Sequence, residues 1–500
     1  MPASETEELH AIGEATNQLS RATPGENFHV AVSKPVSRSS GDFWYARRKA
    51  WLIVLALFFM VRSYSAITPP FQSPDEFNHV KRAYLLSKGI FLATVTEGVV
   101  GGRIDTGLMD YMKCFGNIPF NYGKKIDRTT VRECNEIRFE GRTTFSSIPN
   151  TATYFPLLYS PQALALFVGR IGGLTVGTSY FLARLFSQLA SLSLIFLSMT
   201  IVPLPPAVMA LLLLPMCLFQ LASASLDAMS FSTAVVISAL FIRASDRRLP
   251  FESGMRFSLS ISILLLSLAR IIYIALAPLL LFLYYTRRSR SYILYFVVIS
   301  CSWIVWILYI RSAILGAYPH ESSVEHSVGA WAYVSQAREF CVALFKTLTT
   351  FIIVKGYVQS FIGVLGASDT PLGPFAYIIF FVGILAITAL SIDVHGNSVI
   401  RGGRAILGLA APATLLFVFF AAFSEWTVPG GTIDGIQGRY FYPTAIFFLY
   451  SACGVRVSGN RATACLAVIA LMALSSIELS IPALIDRYWA SEFAEAYYSK

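Results

Sequence analysis

The chain has 500 residues, of which 55% are hydrophobic and only 14% charged, whereas soluble domains carry about 25% charged residues. The apolar residues form continuous runs, a pattern that predicts membrane-spanning helices and excludes a soluble enzyme, a disordered scaffold and a disulfide-rich secreted module. It also disfavours an outer-membrane barrel, whose strands alternate every second residue. The formal net charge of +10 comes from basic clusters between these runs, where such residues orient a membrane protein, so it does not indicate nucleic-acid binding.

The N-terminal region is predicted to be a tail followed by a first span. Residues 1–49 form the predicted flexible cytoplasmic tail, because most of them are polar and lack an apolar period. The apolar run 50–67 follows the basic cluster Arg47, Arg48 and Lys49. It is too far from the start and too long for a typical cleaved signal peptide, so we expect a first transmembrane helix that begins in the cytoplasm.

Residues 68–178 are predicted to form a large loop outside the cytoplasm. Within it, residues 68–153 are polar, while Tyr154–Gly173 is a short apolar stretch that Pro156 and Pro161 interrupt. We expect this stretch to lie along the outer interface as an amphipathic or re-entrant piece. Cys114 and Cys134 share the loop and would pair if it faces an oxidising compartment.

The rest of the chain predicts ten more spans, in an all-α polytopic bundle of about eleven transmembrane helices. Residues 179–314 contain helices 2–7, residues 315–374 a second outer loop, residues 375–481 helices 8–11, and residues 482–500 an outer tail. The individual spans are Ser179–Ile201, Pro206–Ala222, Ala228–Ile242, Phe257–Ala269, Ile271–Tyr285, Tyr292–Ile314, Phe375–Ile392, Ala405–Phe423, Phe441–Val455 and Ala462–Ile481.

The orientation depends on whether Tyr154–Gly173 crosses the membrane. If it does not cross, eleven arginines in the connections fall on the cytoplasmic side, as the positive-inside rule favours. If it crosses, all of them move outside. These arginines are Arg243, Arg247, Arg248, Arg256, Arg287, Arg288, Arg290, Arg401, Arg404, Arg456 and Arg461.

The segment that follows the first span carries the most chemistry. Ser73, Pro74 and Glu76 have the pattern of a helix N-terminus with a capping box, and Gly89 is a plausible stop. On such a helix Asp75, His79 and Arg82 share one face. This trio would suit deprotonation of a hydroxyl beside an anionic group. The alternative is structural, because acidic residues in a first turn favour the helix dipole.

Several motifs resemble a bacterial membrane family called domain of unknown function 2142, which is similar to the GT-C superfamily of integral-membrane glycosyltransferases. The resemblance extends from about residue 50 to residue 500. Two motifs are fairly specific, Pro-Asp-Glu-x-x-His at 74–79 and Gly-Arg-Tyr-Phe at 438–441, and three are weaker. The weaker ones are Tyr159-Ser160-Pro161-Gln162, Ala183-Arg184-Leu185 and Ser223-Ala224-Ser225-Leu226-Asp227.

The resemblance implies sugar transfer on the outer face of a bacterial cytoplasmic membrane. The implied donor is a polyprenyl-phosphate-linked sugar and the implied acceptor a cell-surface glycan or a lipid-linked molecule, with inversion at the anomeric carbon. By motif, Asp75 would be the general base and Glu76 its acidic neighbour. The departing lipid phosphate would need cations close by.

Candidate phosphate or sugar ligands are expected at the outer ends of spans. Arg184 opens the second span, Arg270 interrupts an apolar stretch, and Arg439 and Tyr440 precede the tenth span. His79, Arg82 and Asp227 complete the predicted binding set. The alternatives are snorkelling arginines for Arg184 and Arg439, a purely structural Arg270, a helix cap for Asp227 and a hydrogen-bonded loop histidine for His79.

A metal site is not predicted with any definite ligands. His320, Glu321, Glu325 and His326 cluster in the second outer loop, but a solvated loop explains them better than zinc ligation. No cofactor is firmly expected, and a divalent metal stays open.

Two other functions fit the same fold. A lipid-linked-sugar transporter or flippase would need polar residues near the middle of several spans, whereas here ionisable residues lie mainly at span ends. A non-catalytic partner in polysaccharide assembly would keep the fold without the chemistry.

Overall fold

The computed structural model describes residues 40–314, 330–392, 398–427, 430–455 and 457–489, and a compact unit begins at Lys49. Over these residues the protein is an all-α, multi-pass membrane protein with two small sheets. In chain order its helices are α1 Ser40–Ile67, α2 Glu76–Ser87, α3 Thr106–Phe115, α4 Arg128–Asn135, α5 Pro149–Ala152, α6 Ser160–Ile171, α7 Val176–Ile201, α8 Pro206–Leu212, α9 Pro215–Leu221, α10 Leu226–Ser245, α11 Ser253–Ala269, α12 Pro278–Arg287, α13 Ser291–Tyr309, α14 Ala330–Thr349, α15 Phe351–Gly363, α16 Pro374–Ser391, α17 Ser398–Trp426, α18 Tyr442–Ala452 and α19 Asn460–Tyr488.

Among the described residues, seven helices are long and apolar enough to cross a membrane, namely α1, α7, α10, α13, α16, α17 and α19. The bent pair α14–α15, with 75° between its parts, is an eighth candidate. The predicted count of eleven is not confirmed. Pro215 divides the predicted span 206–222 into two helices of 7 residues, and α18 has only 11 residues, about 17 Å against a hydrocarbon core of about 30 Å.

Two other predicted spans, 257–269 and 271–285, form shorter apolar helices on either side of Arg270. The helix α11 ends at Ala269, and a 3₁₀ segment, Ile271–Leu276, leads into α12. The apolar pair α14–α15 occupies a region where the sequence predicts an outer loop. These short helices do not confirm full-length spans at the predicted positions, because short apolar helices pack inside the protein as readily as they span a bilayer.

The loop after α1 contains structure that the sequence does not predict. Strands β1 Thr94–Thr96, β2 Val99–Asp105 and β3 Thr143–Ser147 form an antiparallel sheet in the order β1-β2-β3. Thr94 pairs with Gly101, and Gly101 also pairs with Ser147. A disulfide between Cys114 and Cys134 joins α3 to α4. A second, two-stranded sheet is formed by β4 Val364–Leu365 and β5 Thr370–Pro371.

The segment 154–173 forms a 3₁₀ turn, Pro156–Tyr159, followed by α6. With 12 residues, α6 is about 18 Å long and therefore too short to span a bilayer. It packs along α7 and α2. This length agrees with the expected interfacial position.

Helix α10 lies at the centre of the bundle. Its apolar window is 94% buried, and it packs against α7, α11, α17 and α18. A helix that is apolar on all sides is expected in such a position. Its N-terminal turn carries Asp227, so the centre of the bundle fixes the position of this carboxylate.

Candidate active site

Asp75 occupies an unusual backbone conformation at the start of α2. Its φ is 59° and its ψ is 6°, the left-handed region that aspartate tolerates better than most residues. The residue therefore turns the chain into the helix without capping it through its side chain. The freed carboxylate, 31% exposed, points at Arg439 instead.

Two groups hold the Asp75 carboxylate. Arg439 Nη2 lies 2.6 Å from one oxygen, and Asn150 Nδ2 donates to the other at 3.2 Å. Burial acts to raise the pKa of this carboxyl, but the Arg439 guanidinium and the surrounding hydrogen bonds outweigh burial and keep the pKa below its ordinary value. In this state Asp75 is ionised at neutral pH and a weak proton acceptor.

Arg439 is positioned by a 3₁₀ turn, Gly438–Phe441, that leads into α18. A side chain at 438 would collide with the backbone of Phe361 in α15, because a Cβ there would lie 2.1 Å from its nitrogen. The glycine thus permits the close approach that places Arg439 in the centre of the site. Its Nη1 donates to the Pro74 carbonyl at 3.1 Å and to Asp227 at 3.4 Å.

Asp227 joins Arg439 to Arg270. One of its oxygens contacts Arg439 Nη1, and the other forms an ion pair with Arg270 Nη2. The cap of α10 is Ser225, whose hydroxyl accepts from the Asp227 backbone N–H at 3.3 Å. The helix-cap explanation of Asp227 is therefore wrong, because its carboxylate is used for the two arginines.

Aromatic rings surround the two guanidiniums. The Arg270 Cζ lies 5.3 Å from the Tyr154 ring centre and 5.5 Å from that of Tyr440, and the Arg439 Cζ lies 5.2 Å from the Tyr440 ring centre. Such contacts stabilise a partly desolvated cation. The aromatic contacts therefore stabilise both guanidiniums as cations although neither is fully hydrated.

Asp75, Arg270 and Tyr440 line a cavity of about 400 Å³. Its lining contains both polar and apolar residues. The polar ones are Asp75, Asn150, Thr153, Tyr154, Arg270, Gln437 and Tyr440. The others are Ile271, Ile272, Ile310, Val418, Ala421, Ala422, Gly435 and Ile436. A lining of this mixed composition suits a ligand with an anionic head and a hydrocarbon chain.

Glu76 and Arg184, both predicted site residues, lie elsewhere and form a closed ion pair. Arg184 Nη2 and Nε donate to the Glu76 carboxylate at 3.0 and 3.1 Å, and neither side chain exceeds 1% exposure. Arg184 is the ninth residue of α7, about 12 Å inside the helix, and does not open it as predicted. The structure therefore brings neither residue to the cavity.

The remaining hydrogen bonds of this pair are also satisfied. Glu76 accepts from the backbone N–H groups of Ser73 and Ala224 at 3.3 and 2.8 Å. The Ser73 bond is one half of the predicted capping box, while the helix itself begins at Glu76. Gly89 has a φ of 77° beyond the end of α2, the conformation expected of a helix stop.

His79 and Arg82 are buried beside the site. His79 Nδ1 lies 2.7 Å from the Tyr159 hydroxyl, and burial lowers the pKa of His79 to about 4, so the ring is neutral at pH 7 and supplies no cation. Arg82 donates to the carbonyls of Phe91 and Tyr154 at 2.8 and 3.2 Å. Asp75, His79 and Arg82 therefore do not share one functional face as predicted. Of the three, only Asp75 lines the cavity.

The sequence does not identify Asn150, Tyr154 and Gln437 as parts of the site. Tyr154 begins the interrupted apolar segment, and this position in the sequence could have indicated its place in the site. Asn150 and Gln437 carry no such signal, because only the tertiary fold brings them to the cavity wall.

No group of three His, Cys, Asp or Glu residues placed to hold a metal is found within the described ranges. The cluster His320, Glu321, Glu325 and His326 lies outside these residues. The described carboxylates Asp75 and Asp227 are both engaged by arginines.

Comparisons with known proteins place the chain in a family. A search of curated protein sequences finds no significant match. Among solved structures, the crystal structure of ArnT from Cupriavidus metallidurans in the apo state is similar at 14% identity, covering 81% of this chain and 72% of that chain with a TM-score of 0.27. The model of the family described as predicted membrane protein (DUF2142) matches residues 57–448, and the chain therefore belongs to that family.

Proposed function

We propose that the protein is an integral-membrane glycosyltransferase that moves a sugar from a polyprenyl-phosphate carrier to a cell-surface glycan or a lipid-linked acceptor. The observation that carries this proposal is the cavity whose lining includes both Asp75 and Arg270 together with several aliphatic side chains. The aliphatic side chains suit an isoprenoid chain, and Arg270 suits the phosphate.

The chemistry follows from these two groups. The acceptor hydroxyl attacks the anomeric carbon, a new C–O bond forms, and the bond from that carbon to the phosphate oxygen breaks. Asp75 accepts the hydroxyl proton. Arg270 stabilises the negative charge that develops on the departing lipid phosphate. Attack from the side opposite the phosphate would invert the anomeric carbon.

The site is proposed to face the outside of a bacterial cytoplasmic membrane. The positive-inside arrangement of the arginine-rich connections supports this side. The Cys114–Cys134 disulfide also supports it, because disulfides form and persist in oxidising compartments.

The proposal is tested by the Asp75→Asn variant in cells. Surface glycan composition is measured by mass spectrometry in cells with the intact gene, without it, and with the variant at matched protein levels. We expect the deletion and the variant to lose the same sugar, since loss of a general base costs about 10²- to 10⁴-fold in rate. Asp110→Asn is the matched control, because Asp110 is an exposed carboxylate paired with Lys113 outside the site.

A variant that retains the sugar would remove Asp75 as the base. Loss of the sugar in the deletion alone would favour the flippase or the assembly partner over the transferase.

Sidedness is tested by thiol labelling. Once Cys217, Cys301, Cys341, Cys453 and Cys465 are replaced by serine, a membrane-impermeant maleimide added to intact cells should modify the remaining pair only after reduction. If the cysteines are modified only after the cytoplasmic membrane is permeabilised, the proposed orientation is wrong.

A further inference from the structure

We propose that Asp227 is a positioning residue that couples anion binding at Arg270 to release of the Asp75 carboxylate from Arg439. The inference rests on the proposed function, because it assigns the lipid phosphate to Arg270 and the acceptor proton to Asp75. It adds that the base becomes effective only when the phosphate is in place.

The four side chains form a chain of alternating charge. Arg270 pairs with one oxygen of Asp227, and the other oxygen of Asp227 lies 3.4 Å from Arg439 Nη1. Arg439 Nη2 lies 2.6 Å from Asp75. Asp227 thus lies between the two guanidiniums and Arg439 between the two carboxylates, so a change at one end of the chain alters the balance at the other.

Only the two ends of this chain are accessible from the cavity. The Arg270 side chain is 12% exposed and that of Asp75 is 31% exposed, whereas Asp227 and Arg439 are 2% and 0% exposed. An incoming anion consequently meets Arg270, and a proton or an acceptor hydroxyl meets Asp75. The buried pair connects them.

Charge balance gives the direction of the coupling. The two arginines and two aspartates sum to zero, so an added phosphodiester leaves the cluster with one excess negative charge. When Arg270 turns to the phosphate, Asp227 loses its closest cation and attracts Arg439 more strongly. The distance between Arg439 Nη1 and Asp227, now 3.4 Å, can then shorten. Arg439 then holds Asp75 less strongly, and Asp75 becomes a better proton acceptor.

The neighbours of Asp75 agree with this direction. Besides Arg439, the titratable groups close to it are His79 on the helix that follows it and Tyr154 in the cavity lining, and Asn150 donates a neutral hydrogen bond. His79 is neutral near pH 7. Arg439 is therefore the cation whose hold on Asp75 decides the proton affinity.

The coupling is measured as proton uptake during ligand binding. The probe is geranyl methyl phosphate, a diester with one negative charge that does not titrate in the range used. Calorimetry on the full-length protein in detergent, in buffers of different ionisation enthalpy between about pH 4 and pH 7, gives the protons bound per ligand. We expect uptake of part of a proton and an affinity that rises as the pH falls, by at most about tenfold per pH unit.

Three variants separate the possibilities. Asp75→Asn should bind the diester without proton uptake, and Asp227→Asn should bind it with reduced uptake. Asp110→Asn should behave as the wild type. A residue that only supported the fold would change protein yield or affinity without changing the number of protons. Because Asp75 is partly exposed, its variant stays informative even if Asp227→Asn fails to fold.

The outcomes distinguish this inference from the proposed function. Binding without proton uptake in the wild type would overturn the coupling and leave the proposed function intact. Uptake that persists in Asp75→Asn, or that is unchanged in Asp227→Asn, would also overturn the coupling. Failure of the wild type to bind the diester at any pH would contradict the lipid-phosphate site itself, and the coupling with it.

Discussion

Asp75 and Glu76 are neighbours in the sequence, yet their carboxylates have opposite surroundings. Glu76 is completely buried and accepts four hydrogen bonds, two from Arg184 and two from backbone N–H groups. Asp75 is 31% exposed on the cavity and is held by Arg439 and Asn150 alone. The left-handed backbone at Asp75 turns the two side chains to different sides.

The comparison shows which buried ion pair is available for chemistry. A carboxylate whose acceptor positions are filled in the folded state fixes the structure, and moving it would leave a buried cation without a partner. A carboxylate at the open end of a charge chain retains space for a substrate. We therefore assign Glu76 to the architecture and Asp75 to the reaction.

The largest expected effect is on stability, from Glu76→Ala. Removing one member of a buried ion pair typically costs about 3–5 kcal/mol, because the remaining charge stays desolvated. The variant should be nearly absent from the membrane and should unfold at a lower temperature in detergent. The measurement is membrane abundance together with a thermal unfolding curve.

The matched control is Glu140→Ala, which removes an exposed carboxylate paired with an exposed Arg142. Surface pairs of this kind contribute little to stability, so this variant should resemble the wild type. Normal abundance of Glu76→Ala, combined with loss of activity, would reverse the assignment and make Glu76 part of the reactive site.

The next effect concerns ligand binding through Arg270. If Arg270 binds the phosphate as proposed, replacement by alanine should remove a charge-assisted hydrogen bond worth about 1.5–3 kcal/mol, or roughly 10- to 150-fold in affinity for the diester probe. Arg270→Lys should recover part of this loss, since it retains the charge without the planar geometry. Unchanged affinity in Arg270→Ala would leave Arg270 with a structural role.

The sequence predicts the helical membrane fold and several residues of the candidate site, for identifiable reasons. Long apolar runs and confined charges determine the class of fold, and Arg270 is recognisable because a charge inside an apolar stretch is unusual. The same reasoning leaves the number of spans unconfirmed, since hydropathy does not reveal that a predicted span such as 441–455 contains only a short helix, α18.

Spacing along one helix also fails where the backbone departs from helical geometry. Asp75, His79 and Arg82 were expected to act together, but Asp75 lies just outside α2 in a left-handed conformation. The contacts of Asp227 with Arg270 and Arg439 join positions 43 and 212 residues apart. No local pattern contains that information.

The smallest effect is the dependence of stability on pH through Asp75. Because the pKa of this carboxyl is lower in the folded protein than its ordinary value of about 3.9, its ionised form stabilises the fold. That contribution is fully present above the unfolded pKa and is lost as the pH falls through the folded one. The difference in melting temperature between wild type and Asp75→Asn should thus be constant above about pH 5. It should decrease towards zero only in more acidic buffer.

The same measurement sharpens the comparison when the diester probe is added. If an anion at Arg270 weakens the hold of Arg439 on Asp75, the difference in melting temperature should begin to close at a higher pH with ligand than without it. Glu76 provides the contrast, because the Arg184 guanidinium and backbone hydrogen bonds overcome burial and lower the pKa of its carboxyl within a closed pair that does not border the cavity. If the melting-temperature difference between wild type and Asp75→Asn disappears near neutral pH without ligand, Arg439 does not control the pKa of Asp75. If the ligand changes the pH dependence through Asp75 and not through Glu76, the two neighbouring carboxylates differ in function.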